Sequence, residues 1–270
     1  MVGAFQANGQ RLRYEDAGGD GPAVIFSHAF GTDGSLFGAQ LAEFSDRWRC
    51  VTWDQRAHGG SFTDHPFSMW DSARDLLALL DHLGIQRAAL VGTSQGGFVS
   101  LRAALIAPER VSSLAILGSS AAAEAPEQRE AFLALGQAFS SGGASGPPEA
   151  VLDAIIATCF GTEFDSAAWR EQLRAWPVEQ VGFALNSLVE RDDIVERLGE
   201  IQPPVLVMHG SEDGSYSPSY GRQIADGVPK SAGFVLVDGG AHFLSATDAG
   251  RVNDALRQFI PAGSVAWRDP

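Results

Sequence analysis

The chain has 270 residues, of which 45% are hydrophobic and 19% are charged, a composition typical of globular rather than disordered proteins. Acidic residues outnumber basic ones by 33 to 19, and the net charge of -14 repels polyanions, which excludes nucleic acids and anionic membranes as expected partners. The start of the chain lacks a signal-peptide pattern, and no apolar run approaches the roughly 20 residues of a membrane helix. Cys50 and Cys159 are predicted to be buried free thiols, so we expect a soluble, cytoplasmic protein.

The first part of the chain alternates between predicted strands and helices. A hairpin over residues 5–14 turns at Asn8-Gly9, and apolar runs predict strands at 23–27 and 49–53. A capping-box pattern of Ser68 and Asp71, apolar residues at helical spacing and a stop at Gly84 predict the first long helix. Strand 88–93, helix 95–106 and strand 113–117 follow, so the pattern predicts a mainly parallel sheet.

The alternation stops in the middle of the chain. Four helices are predicted there, at 126–139, 148–160, 166–176 and 179–198, with a flexible joint at 140–148. Strands at 205–208 and 234–237 and a helix at 248–259 then resume the sheet pattern. We therefore predict one core domain, formed by residues 1–119 and 202–270, with a helical insertion over residues 120–201, here named the lid segment.

Ser94 lies where the strand 88–93 passes into the helix 95–106. Gly92 and Gly96 flank it, and the absence of their side chains allows a tight turn from which a serine hydroxyl projects clear of the sheet. Glycine and serine also mark ordinary turns, so this five-residue motif alone is a moderate signal. A serine hydroxyl becomes a nucleophile only when an oriented base accepts its proton.

The expected base and acid follow the last two predicted strands. His242 lies in the loop after strand 234–237, and Glu212 and Asp213 lie just past strand 205–208, at the same carboxyl edge of the sheet as Ser94. Of the two acids we favour Asp213, although Glu212 beside it stays open. His209 precedes the acid and is not selected.

Two backbone N–H groups are predicted to bind the oxyanion that forms when Ser94 attacks a carbonyl. The first belongs to Gln95, which follows the nucleophile at a helix N-terminus, where the helix dipole favours negative charge. The second belongs to Phe30, in the loop after the first parallel strand. Each donor of this kind is typically worth about 2.7 to 4 kcal/mol of transition-state stabilisation.

Four motifs in chain order resemble the α/β-hydrolase family. They are His28-Ala-Phe-Gly-Thr-Asp33, Asp54-Gln-Arg-Ala-His-Gly-Gly-Ser61, Gly92-Thr-Ser-Gln-Gly96, and the loops of Asp213 and His242. The resemblance implies a mainly parallel central sheet flanked by helices with an inserted helical lid, Ser94 as nucleophile, His242 as base and Asp213 as acid. Ala29 and Ala57 depart from the family pattern, which has glycine at both positions. No metal or cofactor is predicted, because the H-E-x-x-H, dinucleotide and P-loop patterns are absent.

Within that family, residues 24–117 are similar to bacterial carboxylesterases and 3-oxoadipate enol-lactonases. Haloalkane dehalogenases and epoxide hydrolases differ, because they have an aspartate in place of Ser94. Aromatic residues of the lid segment are candidates for contact with the substrate, although core packing is their commoner role. These candidates are Phe132, Phe139, Phe160, Trp169, Trp176 and Phe183. Arg170, Arg174 and Arg191 could bind a substrate carboxylate, but solvation at the surface is their expected role.

The main hypothesis is a cofactor-independent serine hydrolase that cleaves small carboxylic esters or lactones, as a monomer or homodimer. Hydrolysis of an enol-lactone, a thioester or a carbon–carbon bond, or perhydrolysis, are alternatives on the same residues. An alternative of another class is a hydrolase-derived sensor that binds a small molecule and a partner protein, because Gly31-Thr-Asp33 is also similar to such receptors.

Overall fold

An eight-stranded sheet forms the centre of the computed structural model, which describes residues 1–143 and 146–262. Its spatial order is β1-β2-β4-β3-β5-β6-β7-β8. The pairs β1–β2 and β2–β4 are antiparallel and the other five pairs are parallel, which confirms the predicted fold class. The strands are β1 Val2–Ala7, β2 Gln10–Asp16, β3 Ala23–Ser27, β4 Arg49–Trp53, β5 Ala88–Thr93, β6 Val111–Leu117, β7 Val205–Gly210 and β8 Ser231–Val237.

Side chains of β5 alternate between two hydrophobic clusters, one on each face of the sheet. Leu90 packs with helices α2 (Met69–His82), α3 (Gln95–Ile106) and α8 (Pro218–Gly227). Ala89 and Val91 pack on the other face with α1 (Gly38–Phe44), α9 (Leu244–Thr247) and α10 (Ala249–Ala262). Because both faces are covered, the central strands are mostly apolar, which is why they appear as apolar runs in the sequence.

Helix α2 forms as predicted. The Ser68 side chain accepts a hydrogen bond from the Asp71 N–H, and the Asp71 carboxylate accepts one from the Ser68 N–H, so the capping box is confirmed. The helix ends at His82, and Gly84 follows with a φ of 65°, a conformation that favours glycine.

Four helices lie between β6 and β7: α4 Pro126–Ser140, α5 Glu149–Phe160, α6 Ala167–Ala175 and α7 Val178–Val189. The predicted helix over 179–198 is wrong in its second half, because α7 ends at Val189 and a separate 3-10 turn covers Val195–Glu200. The Asp193 carboxylate accepts a hydrogen bond from the Val195 N–H at 2.8 Å, a local bond that competes with the helix. The predicted joint at 140–148 includes residues 144 and 145, which lie outside the described residues.

The lid segment leaves and rejoins the core at one place. The Ile194 N–H donates to the Ala121 carbonyl at 2.9 Å, and the Ala123 N–H donates to the Asp193 carboxylate at 3.3 Å. The two junctions of the segment are therefore hydrogen-bonded to each other.

Among the residues that the structure describes, no helix is long and apolar enough to cross a membrane.

Candidate active site

Ser94 occupies a tight turn between β5 and α3. Its φ is 52° and its ψ is -114°, a backbone conformation that residues other than glycine rarely adopt and that costs about 1–3 kcal/mol. A Cβ at Gly92 would lie 2.3 Å from the Gly96 carbonyl oxygen, and a Cβ at Gly96 would lie 1.9 Å from the Ser27 carbonyl oxygen. Both positions therefore require glycine, and the turn exposes the Ser94 side chain to a cavity that His242 also lines.

Asp213 and His242 form a buried hydrogen-bonded pair. Asp213 Oδ2 lies 2.8 Å from His242 Nδ1, and Asp213 Oδ1 accepts the N–H groups of Ser215 at 2.8 Å and Tyr216 at 2.9 Å. Burial acts to raise the pKa of Asp213, but the charge of His242 and the hydrogen bonds to the carboxylate outweigh burial and hold the pKa well below its usual range. Asp213 is therefore ionised at neutral pH, whereas Glu212, the other acid considered, is exposed.

His209 is a further contact of Asp213 that the sequence reasoning missed. Its Nε2 lies 3.1 Å from Asp213 Oδ2 and 2.9 Å from the Tyr216 carbonyl oxygen, so Nε2 faces two acceptors and must carry the hydrogen. The other ring nitrogen, Nδ1, is buried and has no partner among the described residues. In the sequence, its position near the carboxyl end of β7, four residues before Asp213, could have indicated this contact.

Gly118 is a second missed residue. It directly follows β6 with a φ of 51°, and a Cβ there would lie 2.8 Å from the His242 carbonyl oxygen and 3.1 Å from Asp213 Oδ2. The histidine loop and the acid can thus approach β6 only because this residue has no side chain. A glycine directly after a predicted central strand was the signal in the sequence.

The two expected oxyanion donors are free. Within the described part of the chain, the backbone N–H groups of Phe30 and Gln95 donate to no protein acceptor. Beneath them, Gln95 Nε2 donates to Gln55 Oε1 at 3.1 Å, and Gln55 Nε2 donates to the His28 carbonyl at 2.6 Å. This network ties the loop of Phe30 to the start of α3.

His28 is neutral in this network. Burial lowers its pKa, and its Nε2 accepts the Gln55 N–H at 2.9 Å, which leaves Nδ1 to donate to the Ala29 carbonyl at 2.7 Å. Ala29 itself is fully buried and lies outside the set of residues that line the cavity. Ala57, the other departure from the family pattern, has a φ of 65°, a conformation that costs a residue with a side chain about 1–2 kcal/mol.

The cavity beside Ser94 has a volume of about 140 Å³ and is almost wholly apolar. Helices α4, α5 and α7 supply most of its wall, and no aspartate, glutamate, lysine or arginine of the described residues lines it. Burial raises the pKa of Cys159, which also lines it, to about 12, so this thiol stays protonated.

Three of the six candidate aromatics of the lid segment line this cavity, namely Phe132, Phe139 and Trp176. The other three, Phe160, Trp169 and Phe183, do not line it. Phe160 packs against Phe243 at 5.0 Å between ring centroids, and Trp169 stacks on Phe160 at 5.6 Å, so both fill the joint between lid and core. Phe183 lies on a different face of α7 from Val181, Leu185 and Leu188, which line the cavity.

None of the three candidate arginines reaches the cavity. Arg170 pairs with Asp153 at 2.6 Å and Arg174 pairs with Glu149 at 2.5 Å, both partly exposed on the lid segment. The expectation of a solvated Arg191 is wrong, because its side chain is 1% exposed and forms an ion pair with Glu124.

Glu124, Arg191 and Tyr216, here named the lid clamp, connect the lid segment to the acid loop. Glu124 lies at the start of the lid segment and Arg191 near its end, and the Tyr216 hydroxyl donates to the Glu124 carboxylate. Burial raises the pKa of Tyr216 well above its usual value, so the hydroxyl keeps its proton. Because the Tyr216 N–H also donates to Asp213, the clamp connects the lid segment to the residue that is hydrogen-bonded to His242.

Within residues 1–143 and 146–262, no group of three or more histidine, cysteine, aspartate and glutamate side chains is arranged to hold a metal ion. The polar groups that meet at the cavity are those suited to acyl transfer: a hydroxyl, an imidazole paired with a carboxylate, and free backbone N–H groups.

The mainly parallel eight-stranded sheet, with helices on both faces, is that of an α/β hydrolase. The chain belongs to the alpha/beta hydrolase fold family, whose model matches residues 22–248.

Relatives of the chain are named for several different activities. A protein of Caulobacter vibrioides named as a candidate carbamate hydrolase is 27% identical over 261 residues, covering 92% of this chain and 95% of the relative. The 3-oxoadipate enol-lactonase 1 of Acinetobacter baylyi is 27% identical over 194 residues, covering 71% of each chain. The solved structure of a thermophilic esterase from Thermogutta terrifontis, with malate bound, is 25% identical with a TM-score of 0.86 and covers 98% of this chain and 100% of that chain.

Proposed function

We propose that this protein is a serine hydrolase that cleaves small, uncharged carboxylic esters or lactones through Ser94, His242 and Asp213. The observation that carries the proposal is the buried Asp213–His242 pair, with a separation of 2.8 Å, at the wall of the cavity that Ser94 also lines. Membership of a hydrolase family that includes an esterase and a lactonase supports it.

In the proposed reaction, Ser94 Oγ attacks the substrate carbonyl while His242 Nε2 accepts the hydroxyl proton. His242 Nδ1 donates to Asp213, which fixes the tautomer that leaves Nε2 free and stabilises the imidazolium. The N–H groups of Phe30 and Gln95 bind the oxyanion. The imidazolium then protonates the leaving alcohol, and water repeats the cycle on the acyl-enzyme, which restores the free serine.

The cavity favours an apolar acyl group. A substrate that carries a carboxylate, such as 3-oxoadipate enol-lactone, would need a cationic partner to offset the loss of its hydration in an apolar pocket. Among the described residues, the cavity offers no lysine or arginine. We therefore favour esters and lactones with uncharged side groups over the substrate that the Acinetobacter baylyi relative's name indicates. In this proposal the lid segment, residues 120–201, forms the acyl side of the site.

The test is hydrolysis of p-nitrophenyl butanoate by the wild type, Ser94→Ala and a control, Ser100→Ala. Ser100 is a buried serine of α3, the helix that follows Ser94, and its hydroxyl donates only to the Gly96 carbonyl. We expect Ser94→Ala to lower kcat/KM by about 10⁴-fold or more and Ser100→Ala to retain most of the activity. Equal rates for the wild type and Ser94→Ala would refute the proposal. Turnover of many substrate molecules by each protein molecule would also argue against a sensor.

A further inference from the structure

Two cavities meet at Trp176. The first is the 140 Å³ cavity of Ser94, and the second, here named the outer cavity, has a volume of about 230 Å³. Of the residues that the structure describes, Gly31 and Trp176 line both. Because Gly31 has no side chain, the indole of Trp176 is the side chain that separates the two spaces.

The indole is held firmly in this position. Its Nε1 donates to the Ala57 carbonyl at 2.7 Å, and its ring packs against His58 at 4.8 Å and Phe30 at 5.2 Å between centroids. The residue is 9% exposed. A hydrogen bond at one end and aromatic contacts along the ring make a wall that cannot easily swing aside.

The outer cavity can accept an apolar chain. Phe62, Ala175 and Pro177 supply its apolar lining, and Thr32, Asp33, His58 and Gln172 supply its polar lining. Phe62 is 54% exposed. His58 is neutral there, because burial lowers its pKa well below the usual value. A chain that passed the position of Trp176 would thus enter a larger space with both apolar and polar walls before it reached solvent.

We propose that Trp176 determines substrate specificity by setting the longest acyl group that the site accepts. An engineered apolar cavity of about 150 Å³ binds benzene, so the cavity of Ser94, at about 140 Å³, fits an acyl group of about six carbons. The acyl group stays bonded to Ser94 until water releases it, so the cavity that contains Ser94 must hold it throughout. This inference rests on the proposed serine-hydrolase function.

The experiment measures kcat/KM for p-nitrophenyl esters from butanoate to decanoate, which vary only in the acyl group. For the wild type we expect a fall of about ten-fold or more between hexanoate and decanoate, because methylenes that cannot enter an apolar pocket lose at least this much. In Trp176→Ala the two cavities join, and the ratio of decanoate to butanoate should rise by about ten-fold or more. Trp176→Leu, which keeps more of the wall and the apolar packing, should move the ratio in the same direction by less.

Trp169→Ala is the matched control. Trp169 belongs to α6, the helix that Trp176 directly follows, but it lines neither cavity, so its truncation should leave the chain-length profile unchanged. A folded Trp176→Ala or Trp176→Leu protein with the wild-type profile would overturn the inference while leaving the proposed function in place. Failure of the wild type to hydrolyse any of the esters would overturn the proposed function and, with it, the acyl-length role of Trp176.

Discussion

We expect Arg191→Met, which breaks the ion pair of the lid clamp, to destabilise the protein strongly. The side chains of Glu124 and Arg191 are each 1% exposed, so removal of the guanidinium leaves a buried carboxylate with the Tyr216 hydroxyl as its remaining partner in the clamp. Removing one partner of a buried ion pair typically costs 3–5 kcal/mol. The variant also loses the hydrogen bond from Arg191 Nε to the Ala122 carbonyl at 3.0 Å. We expect the free energy of unfolding to fall by about 3–5 kcal/mol.

The double variant Glu124→Gln/Arg191→Met separates the cost of an unpaired buried carboxylate from the net contribution of the ion pair to stability. It removes both charges but keeps an amide that can bond to the Tyr216 hydroxyl, and replacement of both members of a buried pair is often close to neutral. We therefore expect the double variant to be more stable than Arg191→Met alone. With the single variant Glu124→Gln added, the four proteins form a double-mutant cycle, and its coupling energy should lie within the range of about 0.5–3 kcal/mol that is usual for contacting residues.

The assay is urea denaturation followed by tryptophan fluorescence and circular dichroism. The control is Arg257→Met, which removes an arginine that pairs with Glu43 at the surface, so its loss should change stability little. If Arg191→Met were as stable as Arg257→Met, or if the double variant were no more stable than the single one, the account of the lid clamp would be wrong.

Three further predictions concern the site itself. Gly96→Ala should lower the free energy of unfolding by about 3 kcal/mol or more, because its Cβ would lie 1.9 Å from the Ser27 carbonyl oxygen. The control, Gly250→Ala, places its Cβ in open space on a helix and should not destabilise the protein. Equal effects of the two substitutions in urea denaturation would contradict this reasoning. The pKa of Asp213 is lowered in the folded protein, so its ionised form adds stability that is present above the ordinary aspartate value of about 3.9 and is lost as the pH falls below it. The stability difference between wild type and Asp213→Asn should therefore shrink from pH 6 to pH 3, and a constant difference would refute this reasoning. His209→Leu removes a hydrogen bond to a carboxylate and should cost about 1.5–3 kcal/mol in urea denaturation, while His209→Gln, which keeps a donor, should cost less; equal losses would show that the hydrogen bond to Asp213 is unimportant.

Local signals in the sequence predicted the elements that depend on neighbouring residues. The capping box at Ser68, the glycines on either side of Ser94 and the apolar strands each follow from spacing within a few residues. Chain order and the carboxyl edge of a parallel sheet were enough to place Asp213 near His242. Their hydrogen bond is present, while their catalytic roles stay predictions.

Contacts between distant residues could not be predicted in the same way. Arg191 looks like a solvated arginine until Glu124, 67 residues earlier, is found beside it. Likewise, helical spacing identifies an apolar face but not its neighbour, so Phe160 and Trp176 looked equivalent although one fills the joint with the core and the other lines the cavity. Only the packing of the lid segment distinguishes them.

The hydrogen bond between Ile194 and Ala121 would allow the lid segment to be exchanged between related enzymes. Because the chain leaves and returns at a single point, residues 122–193 could be replaced by a segment of different length or sequence without altering the path of any strand. A transplanted segment would need two ends that meet and a buried pair equivalent to Glu124 and Arg191. Under the proposed function, such recombination would change the acyl preference while Ser94, Asp213 and His242 stay in place.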